Sequence, residues 1–397
     1  MSYMKSAYQT TVFGIISTIG YINDPEGLEG LALVTQEMLS YGCQRLPREQ
    51  FYIELESLGA SLSINASDDS TDLRVRVINE KVKEAKALIN ELLETPYLTD
   101  ETLALAKQNV LGQLDEVKSD DLEWAFENFV PALLGQRSSY GTPQSIQKIT
   151  LLDIKEYIAK FRANAFTLEI KGPSDYELIG FDKVNVFKEV DRKVQLPAHF
   201  KVLPKELEQK VVLIGFEYPE MAKLSSYLRA VARGILSPGG LTGFLYEKIR
   251  HENSAAYYAA AFEQVLHGAG AHVIYAGVSE KNLKLTLELV RSIIETVTKG
   301  EFEQQRIEIS KNSLKGSYAN VYDNLDYTFG YYVGQLLLKG RIFEYDEILK
   351  LIDDVSKEEI VNYFNTLFAN KPKYVLVNGQ LEDKTNELIS SYLNEWK

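Results

Sequence analysis

The chain spells out its layout twice, and that repetition limits what it can fold into more than any single motif does. INEKVKEAKALINELLE, starting at residue 78, is echoed by VSEKNLKLTLELVRSIIE, starting at residue 278, so Asn79-Glu80-Lys81 corresponds to Ser279-Glu280-Lys281. Thr150 with Asp153 and Ser356 with Glu359 take equivalent N-cap and N3 places; only the second is the S/T-x-x-E capping box, the first having the shorter Asp. Each capped helix continues with an isoleucine and a tyrosine, Ile154 and Tyr157 or Ile360 and Tyr363.

Hydrophobic periodicity extends the parallel. Residues 8–22 alternate as a strand, 26–42 and 47–58 read as helices, and SLSINAS and DLRVRVI pair as a hairpin around DDST. Helices follow at about 79–95, 99–134 and 150–162, before the strand FTLEIKG. The order then restarts with strand VVLIGFEYP, helices SSYLRAVARGIL and TGFLYEKIRHE, and a hairpin of AAYYAAAFEQV with HVIYAGV. Helices at 279–298, 301–338 and 356–368, strand YVLVNGQ and a terminal helix complete it. The expected class is α+β, with two similar domains, 1–185 and 205–397, joined by a polar linker at 186–204. Each is expected to be a mainly antiparallel sheet covered by helices on one face.

A net charge of −13 and no Lys/Arg stripe argue against nucleic acid, whose phosphates are held by basic patches. No apolar run reaches the length of about 18 residues that a membrane span requires, and the start, MSYMKSAYQ, leads into a strand rather than reading as a signal peptide. The lone cysteine, Cys43, excludes an internal disulfide and suits a reducing, cytoplasmic compartment. Histidine offers little to a metal, because only His199, His251, His267 and His272 are present, and His267 and His272 flank GAGA in what reads as a hairpin turn rather than a metal site. SPGGLTG lacks the lysine and hydroxyl of a phosphate loop. Trp124, Phe126 and Phe129 are spaced for core packing, and a tyrosine run from Tyr318 to Tyr332 is read the same way, with a surface share open to a partner.

GLEGLALVTQEMLSYG, residues 27–42, resembles the active-site helix of the insulinase/pitrilysin (inverzincin) metallopeptidases and their mitochondrial-processing-peptidase-like relatives, in which H-x-x-E-H holds zinc. YINDPEGLEGLA, SSYGTPQSIQKIT, GGLTGFLYEKIRHENSAAYY and HVIYAGVSEKN resemble further family blocks, in family order. The resemblance implies two halves facing each other across a chamber. Family members usually have another strand before the one at 8–22, with an L-x-N-G-L-type turn; none is read here, so the edge of the first sheet is expected to differ.

By the same resemblance Leu33 and Glu37 stand where the two histidine ligands would be, Gln36 where the water-activating glutamate would be, and Gln113 at the third ligand. Zinc needs imidazole, thiolate or carboxylate donors. Leu33 offers no lone pair, an amide at Gln113 is a poor ligand, and an amide at Gln36 takes no proton from water. The expectation is no metal in this chain and no cleavage by it alone.

The resemblance also assigns Arg250 and Tyr257, seven residues apart, the role of reaching the substrate. A guanidinium holds a peptide carbonyl and a phenol donates to an oxyanion; Tyr258 is the register alternative. Gly239 and Gly240 would form the loop at the substrate entrance, stiffened by Pro238. The leading expectation is the zinc-free subunit of a heteromeric zinc metallopeptidase. It would bind peptide and assemble with a homologous subunit bearing H-x-x-E-H and zinc, a homodimer being the assembly left open if no partner is present. The alternative is a noncatalytic scaffold or a peptide-binding accessory protein of the same fold.

Overall fold

The protein is described by a computed structural model over residues 9–135, 138–171, 176–179, 199–218, 225–237, 241–266 and 269–396. The contacts divide it into two compact units, each discontinuous along the chain. One comprises Met1–Glu116, Arg137–Lys188 and Ala319–Phe343; the other comprises Val117–Gln136, Glu189–Tyr318 and Glu344–Lys397.

The elements in chain order begin with β1 (Thr10–Ser17), α1 (Leu31–Leu39), α2 (Arg48–Ser57), β2 (Ser61–Ala66), β3 (Thr71–Ile78) and α3 (Val82–Glu94). Next come α4 (Asp100–Ser119), α5 (Asp121–Leu134), α6 (Pro143–Lys148), α7 (Leu151–Ala163), β4 (Ala165–Ile170) and β5 (Tyr176–Ile179). The repeat supplies β6 (Phe200–Leu203), β7 (Gln209–Glu217), α8 (Ser226–Leu236), a π-helix (Leu245–Glu252), β8 (Ala256–Leu266) and β9 (Ala269–Ser279). Then follow α9 (Leu283–Thr298), α10 (Gln304–Tyr322), α11 (Leu325–Lys339), α12 (Tyr345–Asp353), α13 (Lys357–Leu367), β10 (Tyr374–Asn378) and α14 (Asp383–Glu395).

The first sheet runs β2-β3-β1-β4-β5, antiparallel throughout, and the second runs β6-β10-β7-β9-β8, antiparallel except for β6 beside β10. The two orders superpose if β1 is matched with β7, β4 with β10, and the hairpins with each other. They part at one edge: β5, which follows β4, takes the place that β6, which precedes β7, holds in the second sheet.

Helices cover both faces of each sheet, which corrects the one-faced layer read from the sequence. On the first sheet Phe13, Leu73, Val75 and Val77 pack under α1, α3 and α7, while Val12, Ile16, Phe166, Leu168 and Ile170 pack against Leu325, Phe329 and Leu336 of α11. On the second, Val211, Leu213, Val273, Tyr374 and Leu376 pack against Ala125, Phe129 and Leu133 of α5. Phe216, on the opposite face, meets Phe368 beyond α13 edge-on, with ring centroids 4.8 Å apart. Central strands written as unbroken apolar runs, TVFGII and VVLIGF, are buried on two sides, and that signal outweighs the alternation of their neighbours.

The spans read as single helices at 99–134 and 301–338 are each two helices. The Asp120 carboxylate accepts from the N–H groups of Leu122 and Glu123, and the Asn324 side chain accepts from Asp326 and Tyr327, so each starts a new helix. The second segment of each pair then belongs to the other compact unit: α5 lies on β7, β9 and β10, and α11 lies on β1 and β4. Glycine permits the crossing. A Cβ on Gly14 would run into the Phe329 ring, and one on Gly215 would sit 2.5 Å from Leu133 Cδ2 and 2.8 Å from Phe129 Cζ.

Candidate functional site

Within the first unit, α1 begins at Leu31, not at residue 26, because Gly27 and Gly30 have φ of 80° and 95°, the left-handed region. The buried Asp24 carboxylate closes the helix start, accepting from Gly30 N at 2.9 Å and Ala32 N at 3.1 Å. Burial pushes its pKa up to about 7, against the pull of N–H donation from Gly30, Ala32 and Leu31, and nearby Glu29 adds to the rise.

This helix carries three of the four residues singled out from its motif, and α4 brings the fourth to them. Leu33 is buried in the core. Glu37 Oε1 accepts from Gln113 Nε2 at 2.9 Å, and Glu37 Oε2 accepts from Asn109 Nδ2 at 3.3 Å. Gln36 turns elsewhere: its Oε1 accepts from the backbone N–H of Ala66 at 2.8 Å, on the edge strand β2. The cluster is an amide–carboxylate clasp, a set of donors and an acceptor that satisfy one another. It does not suit Zn²⁺, because both oxygens of its only carboxylate already accept from amides and Leu33 contributes nothing. Among the described residues no group of three or more His, Cys, Asp or Glu is placed to hold a metal ion. The sequence reading missed Asn109, although it precedes Gln113 by four positions and so shares its helix face.

In the second unit, Arg250 sits on the π-helix and Tyr257 is the second residue of β8, and the two side chains meet. The Arg250 guanidinium carbon is 5.5 Å from the Tyr257 ring centroid and 5.4 Å from that of Tyr246, so the cation is flanked by two aromatic rings. Tyr246 carried no role in the sequence reading; its i,i+4 spacing to Arg250 on a helix was the available signal. Tyr257 is 67% exposed.

Backbone irregularities aim this pair. Ser254 has φ of 48°, the only positive φ of a non-glycine residue among those described. Register slips between Ala256 and Tyr258, which pair with Val278 and Gly277, so Tyr257 is the extra residue of a β-bulge. A π-helix, a left-handed serine and a bulge within one short segment are the kind of local departures that re-aim side chains at working sites. Arg306 of α10 anchors the π-helix, donating to Thr242 O at 2.7 Å and lying 4.2 Å above the Phe244 ring.

Tyr258, next in the bulge, meets the Tyr257 ring edge-on, with centroids 6.4 Å apart. Its ring packs over Gly277 and 6.0 Å from Tyr275, and its pKa is pushed up to about 12 by burial, then by Tyr275, Asp120 and Asp121. Gly239 and Gly240 lie outside the described residues, as does His267. Phe129 is fully buried and stacks on Tyr374 at 5.1 Å, and Phe126 meets Phe262 edge-on at 5.1 Å, which is core packing. The tyrosine run is divided: Tyr332 is buried and Tyr327 is exposed.

Comparison with known proteins places the chain in a family. The family description Insulinase (Peptidase family M16) matches residues 3–141, and Peptidase M16 inactive domain matches residues 148–314. An "Uncharacterized zinc protease" of Rickettsia bellii is 20% identical over 382 residues, covering 93% of this chain and 92% of that protein. A "Non-peptidase homolog YmxG" of Helicobacter pylori is 26% identical over 390 residues, covering 92% and 88%. The crystal structure of a protease from Helicobacter pylori shares the fold, with a TM-score of 0.77 at 16% identity over 93% of this chain and 94% of that one. With both halves of one family matched in order along it, the chain belongs to the M16 insulinase peptidase family.

Proposed function

We propose that this chain is the zinc-free subunit of a heteromeric metallopeptidase, lending Arg250 and Tyr257 to a homologous partner that carries H-x-x-E-H. The observation that carries the proposal is the contrast between the two candidate sites. Where a metal triad would stand, Glu37 is tied to Gln113 and Asn109; where peptide would be handled, Arg250 and Tyr257 stay together with the Tyr257 ring exposed.

The hydrolytic ion belongs to the partner. This chain's own part is to hold a peptide carbonyl with the Arg250 fork and to donate the Tyr257 hydroxyl to the oxyanion as it forms. Arg250 is pre-positioned by Tyr246, which reduces the ordering needed on binding. Substrate binds as an extended strand whose main chain supplies most of the affinity, giving loose sequence preference. A reducing, cytoplasmic setting suits the single buried Cys43.

A second reading, a noncatalytic scaffold or peptide-binding accessory protein, is favoured by the name of the Helicobacter pylori non-peptidase homolog and by the closure of Gln36 onto Ala66. Mixing the chain with a zinc-bearing relative from the same genome and assaying cleavage of an unstructured peptide separates the two. Activity in the mixture and in neither chain alone supports the subunit. No activity with any such relative, despite complex formation, supports the scaffold.

A further inference from the structure

The outer edge of β2 is closed at one residue and at one end. In the β2–β3 ladder Ser67 N donates to Ser70 O, and the register pairs Asn65 with Asp72 and Ser63 with Arg74. Alternation of bonded and non-bonded pairs then points the main-chain groups of Leu62, Ile64 and Ala66 away from β3, toward the free side of this edge strand. At Ala66 both of those outward groups are taken by side chains. Its N–H donates to Gln36 Oε1 at 2.8 Å, and its carbonyl accepts from the Tyr21 hydroxyl.

Resting on the peptide-binding reading above, we propose that Gln36, with Tyr21, is a register stop: an extended peptide added to β2 pairs with Leu62 and Ile64 and is refused at Ala66. A residue opposite Ala66 would exchange two hydrogen bonds with it only by displacing both side chains, so that rung brings no net gain. Among the described residues no side chain bonds to the outward main-chain groups of Leu62 and Ile64, whose side chains are packed against the core. Gln36, at the place of a water-activating glutamate by family resemblance, therefore has a different task here: it sets where a bound peptide ends.

The test is amide hydrogen exchange resolved along β2, in the full chain alone and with a short unstructured peptide of alternating valine and lysine. In the free protein Ala66 is expected to exchange slowly, and Gln36→Ala to speed it by about tenfold or more. With peptide, Leu62 and Ile64 gain protection in the wild type while Ala66 does not change; in Gln36→Ala combined with Tyr21→Phe the protection extends to Ala66. Peptide-induced protection of Ala66 in the wild type, or an Ala66 amide indifferent to Gln36→Ala, overturns the stop. If Gln36→Ala frees Ala66 but peptide protects nothing on β2 in either protein, peptide pairing at this edge fails and the stop fails with it. A circular dichroism spectrum of each variant confirms that the fold is retained.

Discussion

Glu37 and Gln113, separated by 76 residues, meet at 2.9 Å as carboxylate acceptor and amide donor. Two positions that would ligate zinc in a family peptidase thus bond to each other here, and the helix pair α1 and α4 keeps its mutual placement without the ion. Restoring donors should therefore restore binding. Leu33→His, Gln36→Glu, Glu37→His and Gln113→Glu together are expected to give one Zn²⁺ per chain by elemental analysis after dialysis, with none retained by the wild type. Failure of the folded variant to retain zinc would show that the helices no longer hold the family's geometry.

Gln113→Ala alone leaves the Glu37 carboxylate with Asn109 as its amide donor. The expected loss is about 1 kcal/mol in urea unfolding, since Glu37 is half-buried and water replaces part of the bond. A much larger loss would mean that the clasp also orders the neighbouring main chain.

Arg250→Ala and Tyr257→Phe address function without touching the core. Each should lower turnover by a zinc-bearing mixture by about 10²-fold, the cost of a lost transition-state donor. Stability of the isolated chain should stay within about 0.5 kcal/mol, as for exposed positions generally. Turnover unchanged by Tyr257→Phe would remove the hydroxyl from the chemistry.

Gly14→Ala and Gly215→Ala probe the close approach of α11 and α5. Because a Cβ at either place overlaps Phe329 or Leu133 and Phe129, each is expected to destabilise by about 1–3 kcal/mol, measured by chemical unfolding. Ala at Gly112, where nothing lies within 4 Å, is the control and should be neutral or slightly stabilising.

Asp24 makes the first unit sensitive to pH. Its pKa rises from 3.8 unfolded to about 7 folded, chiefly through burial, so its contribution to stability is complete below 3.8 and is lost as pH rises through 7. Asp24→Asn should flatten that part of the stability profile. An identical slope in wild type and variant between pH 4 and pH 7 would show that Asp24 does not titrate there.

In the second unit Glu263 binds Arg229 at 2.6 Å and the Tyr363 hydroxyl at 3.0 Å, with His272 at 3.8 Å. Burial opposes its ionisation, but His272, Arg229 and Tyr363 together hold its carboxyl below the usual range. Arg229→Met should cost about 3 kcal/mol at neutral pH by leaving a buried carboxylate short of its partner, and the penalty should shrink in acid, where that carboxylate can protonate. A penalty independent of pH would assign the loss to packing.

Much of this protein is written locally. The duplication was legible from the echo of Asn79-Glu80-Lys81 in Ser279-Glu280-Lys281 and from the equivalent caps at Thr150 and Ser356, because caps and amphipathic faces depend on neighbours three or four positions away. The altered triad was equally legible, since Leu33 lacks a donor in any conformation. What only the tertiary structure decided lies at longer range. Asp120 and Asn324 each end one helix and start another, and which sheet α5 or α11 then covers depends on Gly14 and Gly215 lying opposite Phe329 and Leu133, far away in sequence. The side-chain choices of Glu37 and Gln36, one toward α4 and the other toward the edge of β2, follow from the same cause. A hydrogen bond forms where geometry brings donor and acceptor within reach, and periodicity along the chain does not encode that distance.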